Sequence, residues 1–417
     1  MNQAISLKHV SLIVLSLVIA TISLSFYGFI REGALIIICL LLIPMFFYIG
    51  YQNSLLIAVS FFIITIGLNI MISATGLIQR IYYRPHEVLQ IFDYDMGLAR
   101  FASNSRVKMR VRHGDLKAVD PNCDCEADPR DVEFKTDSYG FRNDADYYQQ
   151  KYLVVGDSFI MGSGTDQKDI LSNQLKRKYH IDAYSLAAPA NIINYVRYLK
   201  YFKKTYGSNF KAFIFVFEGN DFPNRRQGKR ERPFLSRIGL YLKDGVKRYR
   251  NCITRTGLYR YTFSIYLKLR YSRKAGSQVM VRNIHGHKLG FLKGYVEVTQ
   301  RTHYGPRKNI EKALSSIKNN IAGIFFIPTK YRVYYDLNGD KNKPLPNSQW
   351  DYLQGVCQKL HLKCYNLTAD LTKESKRLLA ADKFTWWKDD THWNKYGIAV
   401  AAAAVAAAIN HQKATAP

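Results

Sequence analysis

Ser158, Asn220 and His392 are the residues of this chain whose types and surroundings could carry acyl-ester chemistry. They lie in three short blocks in fixed order: Gly156-Asp157-Ser158, Gly219-Asn220-Asp221 and Asp389-Asp390-Thr391-His392. A serine hydroxyl is a weak nucleophile until a base takes its proton, and a histidine, which titrates near neutrality, can be that base. A carboxylate beside the histidine would hold one imidazole tautomer and stabilise the imidazolium, and both Asp389 and Asp390 are candidates. The backbone N–H of Ser158 and the Asn220 side chain could meet the oxyanion of a tetrahedral intermediate. Asp157 more naturally orders its turn than reacts. Taken singly, each block is also an ordinary strand-end turn; their order and setting give them weight.

That setting is an alternation of strands and helices. Residues 151–155 and 211–217 are short apolar runs that end in the first two blocks, the pattern of buried parallel strands with functional loops at their C-terminal ends. Further strands are expected at residues 183–186, 322–327 and 363–367, with helices near 169–178, 192–206, 348–359 and 396–409. About five parallel strands covered by helices on both faces follow, a three-layer α/β/α fold. Ahead of it, residues 84–150 are turn-rich, with a short strand expected at 107–111 and the run Lys135-Thr-Asp-Ser-Tyr-Gly-Phe-Arg-Asn143 just before the first core strand. This region is expected to pack on the catalytic domain as a lead-in.

The blocks resemble those of the SGNH (GDSL-like) hydrolase superfamily, which has a flavodoxin-like sheet and includes esterases and acyltransferases. The resemblance covers residues 151–417, with an insertion at about 224–300. It implies Ser158 as nucleophile, His392 as base and Asp389, at the family's three-residue spacing, as the third member, slightly preferred over Asp390. It also implies an oxyanion hole of Ser158, Ala190 and Asn220. The family centres its second block on a glycine, where this chain has Ala190 in Ser185-Leu-Ala-Ala-Pro-Ala-Asn191. The ending Thr391-His392-Trp393-Asn394 is similar to the membrane-linked branch, which contains cell-envelope polysaccharide O-acetyltransferases and deacetylases. Asp221 and Lys330, the latter just after a strand at the same sheet edge, are candidates for substrate contact.

Composition frames the rest. A 47% hydrophobic content excludes a mostly disordered chain. Residues 10–30, 34–51 and 55–78 are apolar stretches of about twenty residues, the length that spans a bilayer core, so residues 1–80 are expected to form an anchor of about three transmembrane helices. A multi-pass protein of an inner membrane with its catalytic domain on the outer side follows from a cytoplasmic N-terminus, although Arg80 and Arg84 against Lys8 argue weakly the other way. Cys357 and Cys364 are close enough to pair, Cys123-Asp-Cys125 reads as a structural two-thiol loop, and no zinc spacing occurs. No cofactor or metal is expected; His285 and His287 read as a surface loop.

The formal net charge of +28 is concentrated at about residues 224–288, where Arg and Lys alternate with Tyr, Phe and Leu. No motif for reading nucleic acid accompanies it, so anionic lipid headgroups, an acidic glycan or a solvated face are the readings. The expected function is a membrane-anchored serine esterase or O-acyltransferase acting on acyl, foremost acetyl, esters of a cell-envelope polysaccharide or glycolipid. As a transferase it would need a membrane acyl-donor partner. A lipid-directed esterase or lysophospholipase, and a non-catalytic polysaccharide-binding or assembly subunit, are the alternatives.

Overall fold

The structure, a computed structural model, describes residues 51–75, 85–93, 96–120, 122–207, 209–222, 261, 265, 277–305, 307–337 and 344–414. The chain divides into two units, residues 1–82 with 231–270 and residues 83–230 with 271–417. Of the first unit, helix α1 (Tyr51–Ala74) has 24 residues and none is acidic or basic. Its Leu56, Ile63, Ile64 and Ile70 are 59–66% exposed. Judged on the described side chains, no helix is both long and apolar enough to cross a membrane. The spans expected at residues 10–30 and 34–51 lie, but for Tyr51, outside the described residues, as does nearly all of the basic stretch before residue 277.

The second unit opens with α2 (Pro85–Leu89) and two antiparallel ladders. β1 (Gln90–Asp93) pairs with β2 (Leu98–Phe101), and β3 (Arg106–Val111) pairs with β4 (Arg130–Lys135) across the short helix α3 (Asp115–Val119). Phe101, Phe134 and Phe141 from this stretch sit in the same apolar core as Leu153 and Phe202. The core sheet then begins: β5 (Tyr152–Gly156), α4 (Ser158–Met161), α5 (Leu171–Tyr179), β6 (Ala183–Ala187), α6 (Ile192–Tyr206) and β7 (Lys211–Phe217). After a hairpin of β8 (Val279–Ile284) and β9 (His287–Leu292) come α7 (Lys293–Thr299), α8 (Lys308–Ser315), β10 (Ile321–Ile327), α9 (Lys330–Val333) and α10 (Ser348–Leu360). β11 (Cys364–Asn366), α11 (Thr368–Leu379) and α12 (Lys395–Ala414) complete it.

The five parallel strands stand in the order β11-β10-β7-β5-β6. Chain order reverses between β5 and β7, the point where open α/β sheets form a crevice beyond their C-terminal ends. Ser158 follows β5 and Asn220 follows β7, so the crevice and the first two blocks coincide. Right-handed crossovers require the β5-to-β6 and β6-to-β7 connections to lie on opposite faces. The helices accordingly form two groups, α5 with α12 and α11, and α6 with α8 and α10. With both faces covered, the strands read as unbroken apolar runs: Leu153, Val154 and Val155 are fully buried, as are Phe213, Ile214 and Val216.

Arg142, from the run before β5, is fully buried and ties the lead-in to the segment after the Ser158 turn. Its Nη1 donates to the carbonyls of Met161 and Gly162 at 3.1 and 2.7 Å, its Nη2 to those of Glu133 and Thr165 at 2.6 and 2.8 Å, and its Nε to Gln167 at 2.9 Å. Lysine cannot reproduce that fork. Arg142→Lys is therefore expected to leave several carbonyls unpaired, at about 1–3 kcal/mol each. Thermal unfolding should show a Tm fall of several degrees; an unchanged Tm would contradict this bracing role.

The Cys357–Cys364 pair that sequence proximity suggested is a disulfide, and the two-thiol loop at Cys123 and Cys125 is closed by a second one. Cys357–Cys364 joins α10 to β11, and Cys123–Cys125 closes the loop after α3, where it packs with Leu116 and Val279. His285 and His287 flank Gly286 in the β8–β9 turn, with His285 at φ 54° and Gly286 at φ 83°, as a tight hairpin requires. They pair with Asp382 and Glu126.

Candidate active site

Asp157 caps α4, accepting a hydrogen bond from the Phe159 amide at 2.8 Å, and so places Ser158 on the first helical residue beyond β5. The short helix ends on Gly162 at φ +79°, where a side chain would be strained. Burial lifts the Asp157 carboxyl to about 6, against the pull of the Phe159 amide and His392. Ser158 Oγ lies 2.6 Å from His392 Nε2, across 234 residues of chain.

His392 Nδ1 lies 2.7 Å from Asp390 Oδ1, and the same oxygen accepts the His392 backbone N–H at 3.1 Å. The second contact is an Asx turn, in which an aspartate bonds to the amide two residues on. The turn that bends the chain therefore also seats the imidazole. This corrects the slight sequence preference for Asp389. That carboxylate is engaged elsewhere, accepting from the Gly114 amide at 2.8 Å and standing 3.5 Å from Arg130 Nη1. Burial raises its pKa, with Arg130 opposing. Arg130 also reaches Asp390 Oδ2, at 3.0 Å, and its guanidinium lies over the Trp387 ring.

His392 is almost wholly buried. Burial alone would lower its pKa, but hydrogen bonds to Asp115 and Asp390, with their negative charge, outweigh that and raise it to about 9. The block's other residues are structural. Trp393 Nε1 donates to the Phe159 carbonyl at 3.1 Å, linking the His392 turn to α4, and the Asn394 side chain ties residues 384 and 386 to the start of α12.

The expected oxyanion donors lie at the same edge. Ala190 is in the loop between β6 and α6, half-buried. Asn220 is exposed, and its amide nitrogen is 3.4 Å from the Tyr295 hydroxyl, so α7 from the insertion borders the site. Two expected substrate contacts are placed otherwise. Asp221 is fully buried and spent on the Phe217 amide and the Tyr195 hydroxyl, both at 2.7 Å; burial holds its pKa well above the usual carboxylate range. Lys330 is buried beneath the turn that carries His392 and donates to the carbonyls of Trp387 and Lys388 at 2.8 and 2.9 Å. Burial lowers its pKa to about 8, against the pull of Asp389 and Asp390. Both shape the site's frame rather than its substrate face.

Sequence reasoning missed Arg130, Gly114 and Asp115, which come from the lead-in. Glu218 was named only as the residue before Gly-Asn-Asp; its carboxylate pairs with Arg332 Nη2 at 2.5 Å and accepts the Thr329 amide at 2.9 Å, fixing that turn to β10. Asp115, Asp390 and His392 bring ligand atoms within 4.8 Å of one another, a spacing a cation could use. Arg130 already supplies positive charge there, and the imidazole nitrogen in that group is engaged with Asp390.

No curated protein matches the chain. A family model does match residues 282–417, a segment that contains the His392 block but neither Ser158 nor Asn220. That model describes the SGNH hydrolase-like domain of the acetyltransferase AlgX, so the chain resembles the SGNH superfamily and, within it, the polysaccharide acetyltransferases.

Proposed function

We propose that this chain is a membrane-anchored serine O-acyltransferase or esterase that works on acetyl esters of a cell-envelope polysaccharide through an acyl-Ser158 intermediate. The observation that carries the reading is the 2.6 Å contact between Ser158 Oγ and His392 Nε2, with Asp390 on the far side of the ring. Ser158 Oγ attacks the acyl carbonyl as its proton passes to His392. The oxyanion is met by the amides of Ser158 and Ala190 and by the Asn220 side chain. Collapse returns the proton to the departing oxygen and leaves the acyl group on Ser158. A sugar hydroxyl, or water, then attacks as His392 takes its proton; collapse breaks the bond between the acyl carbon and Ser158 Oγ, and His392 returns the proton to that oxygen.

The family match supports polysaccharide acetyl transfer as the general class. The membrane anchor is supported by the apolar stretches at residues 10–30, 34–51 and 55–78 of the sequence.

The test is turnover of p-nitrophenyl acetate and butyrate by the full chain in detergent, with mass spectrometry of Ser158 for an acetyl adduct. Acetate should be preferred, and Ser158 should carry the label. A folded protein with neither turnover nor adduct would remove the enzyme reading.

A further inference from the structure

The segment ahead of the α/β core closes over the base-bearing turn through three successive amides. Gly114 N–H donates to Asp389 Oδ2 at 2.8 Å, Asp115 N–H to Asp390 Oδ2 at 3.2 Å, and Leu116 N–H to the Asp389 carbonyl at 3.3 Å. A Cβ on Gly114 would lie 2.2 Å from that carbonyl oxygen, so no side chain fits there. The Asp115 carboxylate is thereby delivered to the ring. Its Oδ1 accepts the Thr391 amide at 2.7 Å, and its Oδ2 accepts the Thr391 hydroxyl at 2.5 Å and stands 3.5 Å from His392 Nδ1. The face of the imidazole that carries Nδ1 thus meets two carboxylates from opposite ends of the unit.

We propose that Asp115 is a positioning residue for His392: with Asp390 it forms a two-carboxylate clasp that orients the ring and sets the pH at which it can act as a base. The role deepens the acyl-serine reading and rests on it for its catalytic meaning. Asp390, the closer partner at 2.7 Å, fixes the tautomer. Asp115 acts at longer range, through Thr391 and through its charge. The groups facing the imidazole are Ser158 and Asp157 from the start of α4, Asp390 from its own turn and Asp115 from α3. Behind the carboxylates lie Arg130 from β4 and Lys330 from α9. The upward displacement of the His392 pKa by Asp115 and Asp390 agrees with such a clasp.

The experiment is the NMR titration of the His392 ring in the resting full-length protein, beside the pH profile of kcat/KM, for wild type, Asp115→Asn and Asp115→Glu. Asp115→Asn keeps a partner for the Thr391 amide but removes the charge. Its ring titration and the acid limb of its profile should both move down by about one pH unit, while kcat at the optimum falls less than about tenfold. Asp115→Glu should restore both towards wild type, and it keeps the test open if the asparagine variant fails to fold. Folded variants whose titration matches wild type would overturn the proposal. The ring titrates whether or not an ester is turned over. A shifted titration in a protein without turnover would therefore remove the acyl-serine reading and leave the clasp standing.

Discussion

Ser158→Ala and His392→Ala are each expected to lower kcat/KM for acetyl esters by about 10⁴- to 10⁶-fold, and the double variant should lose little more. A nucleophile and its base act as one unit, so removing either disables both. The 2.6 Å contact between them makes the coupling direct. The same pair sets the pH dependence. A protonated His392 cannot accept the serine proton, and its pKa is raised to about 9, so kcat/KM should climb with pH and level off only above that value. The stability contribution has the opposite sense. A histidine whose pKa is raised from 6.5 by folding stabilises the protein fully below 6.5, and that contribution is lost as pH rises through about 9. Urea midpoints of wild type and His392→Ala, compared at about pH 6 and about pH 10, should differ more at the lower pH. Equal differences would mean that the carboxylates do not hold a charged ring. Turnover retained at the wild-type rate by Ser158→Ala would contradict the assignment outright.

Asp390→Asn should cost about 10⁴-fold in kcat, because an amide at this position favours the wrong imidazole tautomer and cannot balance the imidazolium. Asp389→Asn should change kcat by less than about tenfold and act on stability instead. Its carboxylate holds the Gly114 amide and faces Arg130 in a site closed to water, where an impaired partner costs about 1–3 kcal/mol. Kinetics and thermal unfolding of the two variants side by side make the contrast testable. If Asp389→Asn were the catalytic knock-out, the geometry described for the turn would not be the working one.

The strand and helix alternation was legible in the sequence because buried parallel strands have no exposed face to break their apolar runs. The helix expected at residues 192–206 spans those residues, and the strand expected at 322–327 begins one residue earlier. The three blocks were legible for a related reason: each must follow a strand or lie near the end of the chain, and the strands could be found. Asp390 was not separable from Asp389, since only the bend of the Asx turn decides which carboxylate meets the ring. Arg130, Gly114 and Asp115 left no periodic trace, being single residues in a turn-rich stretch whose partners lie some 260–275 positions away. Asp221 and Lys330 were candidates for substrate contact, Lys330 because it follows a strand at the functional edge, with a solvated lysine as its other reading. Their burial depends on how the turn at residues 387–390 and helix α6 fold over them, which local sequence does not announce.

The joining of residues 114–116 to residues 389–391 also bears on biosynthesis. It closes a loop of about 275 positions, an entropic cost on the order of 5 kcal/mol for a flexible chain. Strand pairing within the sheet must absorb most of that before the contact can form. During translation the Ser158 segment emerges well before the His392 segment. On the acyl-serine reading, a polypeptide halted short of residue 392 lacks the base that would activate Ser158, so the serine stays inert until that turn has been made.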